Sequence, residues 1–247
     1  MMELIDSSLL ILGGIVLLSY TVQTLSGFGS TIIAVTLGSH LYPISFLLPV
    51  LVPLDLFLNT YLMVRHRRHI KKPVLFRQIL PAMGLGLLVG MALFSVLEGD
   101  ILKKVLGIFV VLLSSRELWI RLRRKGGPKP ISTLRFNGFT AAAGVVHGIY
   151  ASGGPLLIYA LSRLNLSKAS FRSTLAALWT ILNLVLTVYY VASGKATSTS
   201  FSYIMLLFPL ILAGIVIGEK LHTLIDEYTF TILVFVLLLG AGISIII

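Results

Sequence analysis

The chain has 247 residues, 57% of them hydrophobic and 12% charged, and a mean hydropathy of +0.99, values that exclude a soluble globular domain. Its net charge of +11 is concentrated in two short stretches, RHRRHIKKP (65–73) and RLRRKGGPK (121–129). Neither carries interleaved aromatics, so nucleic-acid binding is set aside in favour of basic cytoplasmic loops of a membrane protein.

Eight apolar stretches, at about 8–26, 44–65, 79–97, 101–122, 135–151, 170–193, 201–221 and 228–247, are each long enough for a helix to cross a hydrocarbon core of roughly 30 Å. The first lacks a basic start and a small-residue cleavage site, so it reads as a retained helix. Unbroken Leu, Ile, Val, Gly and Ala runs favour helices over a β-barrel. Two shorter apolar pieces, 30–40 and 155–164, each follow a Gly-rich break, SGFGS and ASGGP. They read as broken or re-entrant segments.

The second half echoes the first. SGFGSTIIA lies over ASGGPLLIY at an offset of 125, and GxxxG pairs Gly86/Gly90 and Gly214/Gly218 recur at 128. The expected fold is an all-α polytopic membrane protein of about eight transmembrane helices, built as two four-helix repeats, 1–122 and 135–247, with a basic cytoplasmic linker at 123–134. Four crossings per half make these repeats parallel, and with the basic loops inside, both termini fall in the cytoplasm.

Backbone that leaves the helix inside a membrane is tolerated where it lines a cavity, and N–H groups at the start of the next half-helix then favour an anion. A single Gly/Ser cluster is more simply a packing device. Two at matching positions favour a binding site made of Ser26, Gly27, Phe28, Gly29, Ser30 and Thr31 with Ser152, Gly153, Gly154 and Pro155.

Asp55 is the one acidic residue near the middle of any span, and it is a proton or ion-site candidate together with Asn59 one turn on, His147 and Asn183. Arg172 is placed to attract an anion. The GxxxG pairs are assigned to helix packing.

No cysteine and no His-x-x-x-His pattern occur, so no metal and no cofactor are expected. Ser152 and His147 are five residues apart and point in different directions on a helix, which argues against an intramembrane serine enzyme.

The SGFG break in the first half, the SGGP break in the second and the basic central linker resemble the TauE/SafE sulfite exporter family, also known as toluene sulfonate uptake permeases. The resemblance covers essentially the whole chain. It implies a prokaryotic inner-membrane carrier of small sulfur-containing anions such as sulfite, sulfonates or thiosulfate, coupled to protons and working by alternating access between two repeats. Family members commonly carry a further glycine where this chain has Ser30.

The partners expected are a small anion, protons, the lipid bilayer and a second copy of the chain as a homodimer. An anion-selective channel and a carrier of other small organic anions are the competing functions, and a non-transporting scaffold is a third.

Overall fold

The computed structural model describes residues 7–97, 99–123, 131–161, 164, 166–221 and 227–247. Linker residues 124–130 and the side chains of Ser26 and Lys168 lie outside that set. Among the described residues the chain forms helices α1 (Ser7–Ser26), α2 (Ser30–Gly38), α3 (Ile44–Arg65), α4 (Leu80–Val96), α5 (Gly99–Arg123), α6 (Thr133–Tyr150), α7 (Gly154–Leu161), α8 (Lys168–Ala192), α9 (Ser198–Leu221) and α10 (Glu227–Ile246).

Every expected span is helical, and the two short apolar pieces are α2 and α7. Among the described residues five segments, Ser7–Leu25, Ile44–Arg65, Val74–Val96, Ala169–Ala192 and Ser198–Leu221, are long and apolar enough to cross a membrane by length and composition. Upstream of α4 the backbone widens into a π turn, Val74–Ile79. Pro81, two residues later, has no N–H to offer the carbonyl of Arg77, which loosens the helix there.

Contacts fix the direction of each helix. α2 doubles back along α1, with Ser30 bonded to Gln23 near the tip and Gly38 packed on Leu12 at the far end. α3 runs with α1, because Gly38 joins Leu47 to Leu12 at one end while Gln23 donates to Asn59 further on. α9 runs with α1 as well, Gly13 meeting Leu210 and Gly218 meeting Thr24.

α8 runs against α3, since Asn183 reaches Asp55 while Ala169 and Arg172 share a cleft with Leu62 and His66. α4 runs with both α8 and α6: the Lys71 N–H donates to Thr174 Oγ1 before α4 begins, Phe94 packs on Tyr190 near its end, and Gly86 and Gly90 face Gly144 and Gly148 in order. α7 doubles back along α6, Gly153 lying on Ala143 and Tyr159 on Phe139. α5 and α10 are antiparallel, with Gly107 on Ile246 and Leu113 beside Val234 and Phe235.

Each of α6–α10 therefore runs opposite to its counterpart among α1–α5. The expected parallel arrangement is corrected by one element. The parity argument counted α1 as a crossing and gave α2 no net direction, but α1 and α2 form a hairpin that enters and leaves at the same end. Three net crossings then remain per half, and an odd number inverts the second half relative to the first.

The two halves also interleave. The most extensive helix pair is α4 with α6, followed by α5 with α10 and α1 with α9. Small residues make the α4–α6 seam close: a Cβ added at Gly86, Gly90 or Gly144 would lie 2.1–2.2 Å from a carbonyl oxygen of the facing helix. The GxxxG glycines thus pack helices, as small residues do in lipid. In the middle of the bundle α3 and α8 cross side by side, and the α1–α2 and α6–α7 hairpins enter from opposite ends to meet beside them.

Candidate functional site

The two hairpin tips touch. A Cβ on Gly154 would lie 3.6 Å from Phe28 and 3.7 Å from Trp179. Around this contact Gln23, Phe28, Gly29, Thr31, Asp55, His147, Ser152, Gly154, Pro155 and Trp179 line a central cavity. Its free space is about 20 Å³, enough for one water. On the other side of Phe28 lies an apolar pocket of about 20 Å³, lined by Val22, Ile33, Leu113, Phe235 and Leu238 among others. The free space at the tips is narrow, about that of one water.

At the first tip, Gly27 (φ 83°) and Gly29 (φ 106°) take left-handed backbone angles that a Cβ would strain. They turn α1 into α2 within three residues. At the second tip the left-handed residue is Ala151 (φ 51°), and the glycines do something else. A Cβ on Gly153 would lie 2.1 Å from the Ala143 carbonyl and 3.0 Å from His147 Cβ, so Gly153 allows α7 to close against α6.

Asp55 is 4% exposed, in a helix whose Pro49 and Pro53, six and two residues before it, interrupt the backbone ladder. Its Oδ2 accepts from Asn59 Nδ2 (2.9 Å) and from Asn183 Nδ2 (2.7 Å). Its Oδ1 lies 2.6 Å from Ser30 Oγ. Asn183 Oδ1 in turn faces His147 Nε2 at 3.1 Å, and the imidazole stacks on Trp179 (centroids 5.1 Å apart, 20° between planes). The four candidates for proton or ion handling, far apart in sequence, are thus joined in one buried chain. Removing a carboxylate's partners at such depth is costly, since a charge near the bilayer centre costs about 2.5–3.5 kcal/mol on insertion scales.

Two sequence expectations are refined. The Ser30 N–H, expected to face the anion, donates instead to Gln23 Oε1 at 2.9 Å, and Ser30 Oγ also meets Gln23 Oε1 at 2.7 Å. The donors left at that end of α2 belong to Thr31 and Ile32, which line the cavity. Ser152 Oγ donates to the Tyr150 carbonyl at 2.8 Å, so its hydroxyl braces the turn while the residue lines the cavity. Pro155, at the second position of α7, has no N–H, leaving Gly154 to supply one.

Gly27 and Arg172 lie outside the central cavity. They line a cleft of about 120 Å³ with Leu62, His66, Ala169, Ser173 and Ala176. Arg172 Nη2 donates to the Thr24 carbonyl at the end of α1 (2.6 Å). Burial, with the cations Arg172 and Arg65 nearby, holds the His66 imidazole below its usual range, so the fixed charge of the cleft at neutral pH is that of Arg172.

Gln23 and Trp179 were not singled out by sequence. Gln23 is 2% exposed, and its Nε2 donates to Asn59 Oδ1 at 3.1 Å, tying α1 to α3. A lone amide in the last turn and a half of an apolar span was the signal available.

Among the described residues no cluster of His, Cys, Asp and Glu has the form of a metal site. No curated protein and no solved structure matches the chain. A family model does, over residues 11–245, and its description is Sulfite exporter TauE/SafE. A match over nearly the whole length, on a polytopic helical bundle, places this chain in the TauE/SafE sulfite exporter family.

Proposed function

We propose that the protein is a proton-coupled secondary carrier that binds a small sulfur oxyanion such as sulfite, a sulfonate or thiosulfate between its two hairpin tips. Membership of the family makes it a multi-pass membrane transporter of sulfur anions and not an enzyme. The observation that carries the finer reading is the meeting of two inverted hairpins at a cavity next to the buried Asp55–Asn183–His147 chain. First-turn N–H groups of α2 and α7 supply donors for an anion. Asp55 supplies a site for the coupled proton.

The two halves work as inverted repeats, with α1–α5 answering α6–α10, but they do not separate as bodies. Because α1 packs on α9 and α4 on α6, the natural moving units are α1–α2–α9 and α4–α6–α7, each holding one hairpin, with α3 and α8 as the axis between them. Widening the cavity toward one end or the other alternates access. A static channel needs a continuous open path, whereas the space between the tips is about 20 Å³, room for one water.

Orientation follows from charge. Arg65, Lys71, Arg77, Arg116, Arg135 and Arg172 all stand at the end of the bundle where α3 finishes and α8 begins, while Lys103, Lys104 and Lys195 stand at the other. The positive-inside rule makes the first end cytoplasmic. The start of α1 and the end of α10 then face outward, opposite to the cytoplasmic termini expected from the count of eight crossings. The cleft with Arg172 and His66 is the cytoplasmic approach to the first tip.

The test is a binding screen of the purified protein against sulfite, thiosulfate, sulfate, taurine, sulfoacetate and small carboxylates, repeated with Gly29→Leu and Gly154→Leu. A sulfur oxyanion binds the native chain, and each leucine abolishes that binding while the protein still inserts. Unaltered binding in both variants, or binding of carboxylates alone, contradicts the proposal.

A further inference from the structure

We infer that His147 Nδ1 is a substrate contact, a hydrogen-bond acceptor that makes the site prefer an oxyanion still carrying one acidic hydrogen over a fully ionised one. The inference rests on the reading of the central cavity as the anion site.

A count of hydrogens along the buried chain carries it. Asp55 Oδ2 receives two amide donors, Asn59 Nδ2 and Asn183 Nδ2, so the Asn183 amide is oriented with its nitrogen toward α3. Its Oδ1 then faces α6, 3.1 Å from His147 Nε2. A carbonyl oxygen cannot donate, so the hydrogen between them belongs to Nε2. A neutral imidazole has one N–H, which leaves Nδ1 as a bare lone pair.

That lone pair is buried, with His147 2% exposed, and Nδ1 has no hydrogen-bond partner within the protein. His147 lines the central cavity, with its ring stacked on Trp179 and its Cβ against Gly153.

Thr31 and the first-turn N–H groups of α2 and α7 supply donors suited to negative oxygens, and the Asp55 carboxylate is already engaged by Ser30, Asn59 and Asn183. His147 Nδ1 is an acceptor with no partner in the protein, and it calls for one hydrogen on the ligand. A sulfonate or fully ionised sulfite oxygen placed against Nδ1 opposes two lone pairs in a dry site and leaves both unsatisfied. Singly protonated sulfite satisfies the acceptor and keeps a negative charge for the helix ends.

Titratable neighbours are few. Asp55 on α3 reaches the ring through Asn183 on α8, and Tyr20 on α1 stands near Asp55 with its hydroxyl donated to the Leu51 carbonyl. The described residues of α2, α4 and α7 that face this region bring Ser30, Thr31, glycines and apolar side chains, and no charge.

The experiment has a ligand-free and a ligand-bound readout. Nitrogen-15 spectra of the full chain labelled at histidine, with the His147 signal identified by its loss in His147→Gln, show the neutral Nε2–H form at neutral pH. The Nδ1–H form or an imidazolium overturns the inference.

In binding titrations, the affinity for sulfite falls as pH rises through the second ionisation of the free acid, approaching tenfold per unit. Methanesulfonate, which has no such ionisation, binds with a flat profile. In His147→Gln the amide N–H takes over the Nε2 donor to Asn183 but offers nothing at the Nδ1 position, and the preference for sulfite over methanesulfonate drops about tenfold. His147→Asn, whose Oδ1 sits where Nδ1 was, restores part of it.

Sulfite binding that is flat or rises with pH, methanesulfonate binding that falls in parallel, or an unchanged preference in His147→Gln each overturns the assignment while leaving the central site in place. Absence of all sulfur-anion binding overturns the functional reading itself, and this inference with it.

Discussion

The two Gly-rich breaks look alike in sequence and do different work. At the first tip the glycines are conformational: Gly27 and Gly29 hold left-handed angles, and a Cβ on Gly29 would meet nothing closer than 3.9 Å. At the second tip the left-handed position is filled by Ala151, and Gly153 is a contact glycine against backbone. Matching motifs therefore mark matching places in the fold without marking matching causes. The functional asymmetry runs the same way, since α3 brings the acid Asp55 and α8 the amide Asn183, bonded to each other across the centre.

Substitutions at the tips test that division. Gly153→Val has the largest effect, because its Cβ would lie 2.1 Å from the Ala143 carbonyl, and the overpacking costs about 3 kcal/mol in thermal unfolding of the detergent-solubilised protein. Gly29→Ala is destabilising by about 1–2 kcal/mol through backbone strain alone. Ala151→Gly moves the other way, relieving its positive φ for a net gain of about 0.5 kcal/mol after the entropy of glycine is counted. Gly154→Ala is smallest, within about 0.5 kcal/mol, since its Cβ finds ordinary contact distances. Equal losses at Gly153 and Gly154 erase the distinction between the tips, and an unstrained Gly29→Ala removes the conformational role from the first.

Much of this was legible in the chain. Unbroken apolar runs placed the long helices, because in lipid the backbone must satisfy itself. The paired breaks placed α2 and α7. Asp55, Asn59, His147 and Asn183 stood out as polar groups at membrane depth, although their junction needed α3, α6 and α8 brought side by side.

The directions of the halves were not legible. Nine residues of α2 are too few to cross a membrane, and hydropathy does not say which way a short helix points. Only the contact of Gly38 with Leu12 shows that it turns back. Nor did the sequence show that Gln23 would take up the Ser30 N–H, since that bond spans the turn between two helices.

Ser30, where the family resemblance leads one to expect glycine, has a local consequence. Its hydroxyl bridges Gln23 and Asp55, which on the proposed reading places it with the proton site more than with the anion site. Ser30→Gly is expected to leave the left-handed turn at Gly27 and Gly29 intact while weakening proton-driven accumulation several-fold. Comparing accumulation with equilibrium exchange in the same variant checks this.

The central claim is that the anion moves between the hairpin tips with a proton handled by Asp55. The direct measurement is radiolabelled sulfite flux in proteoliposomes of wild type and Asp55→Asn, with and without a pH gradient. Both proteins exchange sulfite across the membrane, and only the wild type accumulates it against a concentration gradient when the pH gradient is imposed. Undiminished gradient-driven accumulation by Asp55→Asn contradicts the account.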